Sequence, residues 1–411
     1  MIRSLIGWAA ALMVLAPAAR ALEVDPNVLP EINLGGQAVV TGNYLDHETA
    51  AGESDGGGEL DISDSSLVFD FAKNLFGDRQ YAFATIGIKA PEDDSDLDDE
   101  IFIHQLHLGI GGADWEARLG RTRLPASLIQ FPTLRDSDLL GFTHVANASS
   151  NGDAEEDTIY GGLLVGSYYF GGPWALSAAL TARAETEPSR LDDRERERDN
   201  PNGLFLGVAY DLPEAVKFDR GLRFAGIGVD LQRVDNLAGA DTDTVTSILA
   251  GLTYNLSEDP ASSWAIDAQA IATIGGTVPS LAEPLFRARA DSYSLVGAIR
   301  YAARPFLQTR WQAALVGAYK SFTESGDADA FALAPTFAWH VGSGIDLVAQ
   351  YRYTDYSGAL ARGLDRDHEH ALFGGLRFAI DYTLNETVGG RGSILQLEHD
   401  ILDIGPIGGG H

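Results

Sequence analysis

About sixteen segments of this chain alternate apolar or small residues with polar residues, and this pattern constrains the fold more than any other feature. One example places Ile266, Ala268 and Ala270 on one face, with Asp267 and Gln269 on the other. A period of two residues indicates a β-strand, and segments of about nine to fourteen residues match tilted strands that cross a bilayer. The segments cover roughly 31–46, 60–72, 80–90, 101–111, 115–122, 158–171, 174–185, 203–212, 222–235, 244–256, 264–275, 292–303, 309–323, 329–341, 345–356 and 371–384.

Some segments depart from strict alternation. The segment 222–235 changes phase near Gly226, which indicates a β-bulge. Pro335 lies inside the segment 329–341 and removes one donor from the hydrogen-bond ladder. The segments 60–72 and 80–90 can be read in either phase, so alternation does not decide which of their residues face inward.

The connections between these segments alternate between two kinds. One set is short, and the other is mostly longer and charged, which is the pattern of transmembrane barrels with short periplasmic turns and long extracellular loops. We therefore predict an all-β chain that forms a transmembrane antiparallel β-barrel of about sixteen strands over residues 22–384. The longer connections are 47–59, 91–100, 123–157, 186–202, 236–243, 276–291, 324–328 and 357–370.

Aromatic residues recur beside the short turns, as expected for rings at a lipid–water interface. A soluble β-sandwich has no reason to place aromatic residues beside alternate turns. The set consists of Tyr81, Trp115, Phe170, Trp174, Tyr210, Tyr254, Trp264, Tyr301, Trp311, Trp339 and Tyr382.

The first 21 residues have the pattern of a secretory signal peptide. Arg3 supplies a basic start, residues 6–16 are apolar, and Ala19, Arg20 and Ala21 form a small-x-small cleavage site. The alternative is a membrane anchor, but the apolar run is shorter than the ~18 residues that a spanning helix requires. The mature chain is predicted to begin at Leu22.

Composition excludes some classes of function. The chain has no cysteine, so disulfides play no part in its stability. The formal net charge is −30, which argues against binding nucleic acid through a basic face. Much of the acid lies in blocks such as 92–100, and such blocks are usually solvated loops. That block could also bind calcium, although it lacks the glycine and spacing of an EF-hand loop.

The connection 123–157 is unusually long, and loops of that length inside a compact fold are usually functional. It contains apolar residues that should pack against protein, including Leu128, Ile129 and Phe142. We expect it to fold into the lumen of the barrel and narrow it. An ordinary surface Ω-loop is the alternative.

Taken together, these features resemble the porins of Gram-negative outer membranes. The resemblance covers about residues 31–384 and rests on strand number, loop alternation, aromatic girdles and the long third loop. It implies a location in the outer membrane, contact with lipid and lipopolysaccharide, a homotrimer, and an inward-folded third loop. Porin chains usually end on the last strand, whereas here a tail of residues 385–411 follows, with one possible extra short element at 393–404.

Charged residues on the predicted inward face are the candidate pore-lining residues, because that face meets water. Wall cations facing Asp136 and Asp138 would create a transverse field across the narrowing. Alternatively, the arginines pair with neighbouring acids such as Asp70, Glu116, Asp267, Asp346 and Asp381 and hold the strands in register. The candidates are Arg118, Arg121, Arg123, Arg135, Asp136, Asp138, Arg183, Arg300, Arg310, Lys320, Arg352 and Arg377.

No catalytic motif, cofactor motif or metal-binding motif is predicted. His368 and His370 share one strand face, but a metal site would need more ligands. The predicted function is passive diffusion of small hydrophilic solutes and ions through the barrel. Two alternatives stay open: a selective channel for an anion such as phosphate or an organic acid, and a structural or adhesive barrel.

Overall fold

The computed structural model describes residues 30–48, 54–62, 65–75, 80–89, 102–122, 127–129, 131–133, 136–143, 145, 162–170, 172–181, 203–211, 220–235, 242–257, 261–275, 291–303, 310–323, 328–342 and 344–384. The predicted signal peptide and the tail 385–411 lie outside these residues, and both stay predictions. The strands are β1 (Glu31–Glu48), β2 (Ser54–Asp61), β3 (Ser66–Asn74), β4 (Gln80–Lys89), β5 (Phe102–Gly112), β6 (Trp115–Thr122), β7 (Gly162–Tyr169), β8 (Trp174–Thr181), β9 (Gly203–Asp211), β10 (Gly221–Asp235), β11 (Thr242–Asn255), β12 (Ser262–Ile274), β13 (Ser292–Ala303), β14 (Trp311–Phe322), β15 (Ala328–Gly342), β16 (Ile345–Ser357) and β17 (His368–Leu384).

The strands form one antiparallel sheet that closes on itself. Strand β1 pairs with β17 from Ile32 opposite Leu384 to Glu48 opposite His368. Strands β2 and β3 both pair with β1, one after the other, so the seventeen strands occupy sixteen positions around the barrel. Closure leaves no free edge between the first and last strands, as a lipid environment requires. The predicted transmembrane barrel fold is therefore confirmed.

One predicted strand is divided in the structure. The segment 60–72 was expected to be continuous, but β2 ends at Asp61 and β3 begins at Ser66. At the break, the Val39 N–H donates to Ser65 Oγ at 2.9 Å, and Ser65 Oγ donates back to the Val39 carbonyl at 3.0 Å. A serine side chain thus replaces one rung of the backbone ladder, which satisfies both polar groups of Val39.

The two irregularities that the sequence predicts, near Gly226 and at Pro335, are both found close to their predicted positions. Strand β10 contains one extra residue between Leu222 and Phe224, so the bulge lies at Arg223, three residues before the phase change at Gly226. The pairing of β15 with β16 is interrupted between Leu333 and Thr336, which brackets Pro335. Proline has no N–H to offer the neighbouring strand.

The two faces of the barrel wall differ in residue type. On β13, the side chains of Leu295 and Ile299 are 53% and 49% exposed on the outer face. Ser294 and Arg300 alternate with them on the inner face and are buried. This outer apolar belt is what a lipid-facing surface needs, while the inner face carries polar and charged groups.

Aromatic rings near the short turns form a contiguous girdle on part of the outer face. The ring centroids of Trp264 and Tyr301 lie 4.7 Å apart, and those of Tyr301 and Trp311 lie 4.9 Å apart. Tyr81 is an exception to the prediction, because it is buried and its hydroxyl donates to Glu116 Oε2 at 3.2 Å. It therefore belongs to the interior face.

Two helices occur among the described residues, α1 (Asp136–Thr143) and α2 (Gly358–Leu364). Neither is long and apolar enough to cross a membrane. Helix α1 belongs to the long connection between β6 and β7. Helix α2 follows β16, and its Leu360 belongs to a buried apolar cluster that also contains Phe322 and Ala330 of the inner wall.

Candidate functional site in the barrel interior

The described part of the long connection 123–157 contacts the inner face of the barrel wall. Its first segment, 127–129, is held by Gln269 of β12. The Ser127 hydroxyl donates to Gln269 Oε1 at 3.1 Å, and the N–H groups of Leu128 and Ile129 donate to the same oxygen at 2.8 and 3.0 Å. Trp264 of β12 is exposed on the outer face, and Gln269 lies an odd number of positions further along the same strand. The Gln269 side chain is therefore on the inner face, and these bonds lie inside the barrel.

The C-terminal end of α1 is bound by three wall side chains from adjacent strands. The Lys320 ammonium donates to the Gly141 carbonyl at 2.6 Å. Ser294 Oγ donates to the carbonyl of the next residue, Phe142, and Gln269 Nε2 donates to that of Thr143 at 2.5 Å. The last carbonyls of a helix have no partner within the helix, so these bonds satisfy groups that would otherwise be buried unpaired.

An apolar surface on the inner wall receives the same loop. Ile129, Phe131, Leu139 and Phe142 of the loop are each at most 5% exposed and belong to one cluster with this surface. Small side chains leave room for the loop's larger ones at close packing. We call this surface the apolar seat, and it consists of Val296, Ala298, Val316, Ala318, Ala330, Ala332 and Ala334.

The loop also reaches strands beyond the apolar seat. Val145 is fully buried in a second cluster with Val165 of β7, Phe205 of β9 and Leu249 of β11. A Cβ atom added to Gly251 would lie 3.0 Å from Ile129 Cγ1, so the loop lies directly on that glycine. The described loop residues therefore contact the inner face from β7 to β15.

Much of the remaining wall carries ion pairs. On β6, Arg118 Nε donates to Glu116 Oε1 at 2.6 Å. On β16 and β17, Asp346 accepts from Arg377 Nε at 2.8 Å and also contacts His340 of β15. Across the same two strands, Arg352 is bound to Glu369, which also accepts from Arg366 at 2.9 Å.

A further ion pair lies beside the loop-binding residues. Arg300 Nη2 on β13 donates to Asp267 Oδ1 on β12 at 2.8 Å, and Thr253 Oγ1 donates to the same oxygen at 2.7 Å. Four buried wall arginines, Arg118, Arg300, Arg352 and Arg377, are thus each matched by a carboxylate. Their charges are largely neutralised locally, which weakens the transverse field expected from an uncompensated basic wall.

Other predicted site residues occupy different positions. Arg121 lies opposite Leu106 in the register, and the Leu106 side chain is 54% exposed on the outer face. Residues paired in this way share a face, so Arg121 occupies an outward-facing position of β6. Arg310 is exposed just before β14, and its backbone N–H donates to the carbonyl of Ala303 at the end of β13 at 2.8 Å. Lys320 is 3% exposed and bound to the loop. Arg123, Arg135 and Arg183 lie outside the described residues, as do the side chains of Asp136 and Asp138.

The histidine pair on β17 is engaged with its neighbours on the outer face. His368 Nε2 lies 3.1 Å from Glu48 Oε2, and His370 Nδ1 lies 2.6 Å from the Tyr351 hydroxyl. Among the described residues, no three His, Asp or Glu side chains converge in a way that could hold a metal ion.

Sequence reasoning missed the residues that hold the loop. Gln269 and Ser294 are neutral, whereas the pore-lining residues predicted from the sequence are all charged. A signal was nevertheless present, because Ala328, Ala330, Ala332 and Ala334 alternate along β15 on the inner face. An inner wall without polar side chains is unsuited to water, and this indicates that protein covers it.

The fold and the interior together define a sixteen-position outer-membrane-type barrel with an internal loop. No protein-family model matches the chain, and no curated protein matches it. Solved structures do: an anion-selective porin from Comamonas acidovorans is 16% identical with a TM-score of 0.59, over 86% of this chain and 100% of that one. The outer membrane channel DcaP of Acinetobacter baumannii is 12% identical with a TM-score of 0.56, over 88% and 100%. Salmonella typhi OmpF is 11% identical with a TM-score of 0.52, over 84% and 97%. The chain therefore has the porin fold, as its sequence predicts.

Proposed function

We propose that this protein is an outer-membrane porin through which small hydrophilic solutes and ions diffuse passively. The loop 123–157 narrows its water-filled barrel. The observation that supports this most is the asymmetry of the interior. The loop lies on the apolar seat, whereas ion pairs such as Arg118–Glu116 and Arg377–Asp346 line wall that the described loop residues do not contact. A passage between the loop and this charged wall would be wetted on one side by groups that favour water.

The ion pairs favour general diffusion over the selective anion channel that we also considered. A binding site for phosphate or an organic acid needs cations whose charge is available to the solute. Here Arg118, Arg300 and Arg377 each donate to a wall carboxylate, so these described arginines offer a solute little uncompensated positive charge. We therefore propose weak ion selectivity.

Single-channel recording in planar bilayers tests this proposal. We expect large ohmic steps and a reversal potential close to zero in a tenfold potassium chloride gradient, because the charges of the described wall arginines Arg118, Arg300 and Arg377 are offset by carboxylates. The control is the same detergent preparation without protein. Small steps that one anion blocks would instead support the selective channel. Absence of conductance from correctly folded protein would support the structural or adhesive barrel.

We propose that the protein forms a homotrimer in the outer membrane, in contact with lipid and lipopolysaccharide. The support is the porin fold, together with the outer apolar belt that includes Leu295 and Ile299. Mass measurement in mild detergent should give about three times the mass of one chain. A single species near the mass of one chain, which is 43.9 kDa before removal of the predicted signal peptide, would contradict the trimer and leave the channel proposal intact.

A further inference from the structure

We infer that Gln269, Ser294 and Lys320 form a polar clamp that positions the internal loop and keeps the channel at one aperture. The inference rests on the proposed channel function, which the loop narrows. The three residues lie on adjacent strands, β12, β13 and β14, and Ser294 is directly opposite Lys320 in the register. Gln269 binds residues 127–129 and Thr143, while Lys320 and Ser294 bind Gly141 and Phe142.

Gln269 binds both ends of the loop at once. Its Oε1 accepts three donors from residues 127–129, and its Nε2 donates to the carbonyl of Thr143. The amide of one buried side chain thereby connects two points sixteen residues apart along the chain, 127 and 143, by its acceptor and its donor. Fixing both points restrains the chain between them, which contains α1.

Lys320 and Ser294 hold the C-terminal end of α1. The carbonyl end of a helix carries partial negative charge, which a buried ammonium group offsets. Lys320 is 3% exposed and donates to Gly141, so we assign it a positioning role in place of the pore-lining role that its charge suggests. Ser294 then binds the carbonyl of Phe142, one residue further along.

The apolar seat cannot position the loop by itself. Burial of apolar surface is non-directional, and a wall of small side chains such as Ala330, Ala332 and Ala334 offers few ridges to resist sliding. Hydrogen bonds require a particular distance and angle at each atom. The apolar seat therefore stabilises the contact between loop and wall, and the polar clamp selects one position of the loop along that surface.

Amide hydrogen exchange tests the clamp without relying on conductance. In Gln269→Leu, residues 127–145 should exchange at least about tenfold faster, because the Leu128 and Ile129 N–H groups lose their acceptor. Strand segments should be unchanged. The matched control is Gln312→Leu, which removes another buried inner-face glutamine, one that is hydrogen-bonded to His340 of the wall. Equal exchange of the loop in wild type and Gln269→Leu would overturn the clamp, whatever the protein conducts.

Single-channel traces test the effect on aperture. Each wild-type pore should show one steady open level, so that an inserted trimer gives up to three equal steps, and Gln269→Leu should show frequent transitions among intermediate levels as the loop moves. Lys320→Met should behave similarly, and Lys320→Arg should restore the steady level of each pore because it keeps a donor and a charge. Should Gln269→Leu fail to fold, Ser294→Ala removes only a hydroxyl and should show the same changes to a smaller extent. Steady wild-type-like traces in these variants would overturn the inference, whereas a silent wild type would overturn only the channel proposal.

Discussion

Deletion of Ser127–Phe142 should raise single-channel conductance severalfold while the barrel stays folded. These residues include the loop segment that Gln269 holds and most of α1. They contribute no strand to the barrel, so the closing ladder between β1 and β17 is unaffected. Removing them uncovers the apolar seat, whose side chains are small. Conductance in planar bilayers measures the opening, and a heat-dependent gel shift reports folding.

A deletion of residues 190–199 is the matched control. That stretch belongs to another long connection, which the sequence predicts to be extracellular, and its loss should leave conductance unchanged. If deleting Ser127–Phe142 produces a folded barrel with unaltered conductance, the loop does not narrow the passage and that part of the proposed function is wrong.

Replacing Asp346 with alanine should destabilise the barrel by about 3–5 kcal/mol, the typical cost of removing one partner from a buried ion pair. Asp346 is 2% exposed and binds Arg377 of β17 while contacting His340 of β15. Its loss would leave a buried guanidinium without this carboxylate where three strands meet. Urea unfolding in detergent micelles, followed by tryptophan fluorescence, measures the change in free energy of unfolding.

Asp355→Asn is the matched control, because Asp355 lies on the same strand but is exposed. Its contact with the Tyr353 hydroxyl should contribute at most about 1 kcal/mol. Equal stability of Asp346→Ala and Asp355→Asn would mean that the buried pair contributes little. The wall charges would then have to be explained by permeation alone.

The sequence alone determined the strands of this protein and the two faces of most of them. Alternation located fifteen of the sixteen positions as single strands to within a few residues, because period two is a local property of extended chain. It also identified Arg118, Arg300, Arg352 and Arg377 as inner-face residues. The division at Ser65 escaped it, because that serine replaces a rung of a strand 26 residues away.

Only the tertiary structure decided which part of the inner wall binds the loop and which part carries ion pairs. Which carboxylate pairs with Arg300 or Arg377 depends on the stagger between neighbouring strands, and alternation within one strand does not report stagger. The position of the loop depends on contacts such as Gln269 with Leu128 and Lys320 with Gly141, which join residues 141 and 179 positions apart. Such contacts form only after the sheet closes and brings distant strands around one lumen. For the same reason, the role of Lys320 could not be read from its charge, since the helix end that it binds arrives from a distant part of the chain.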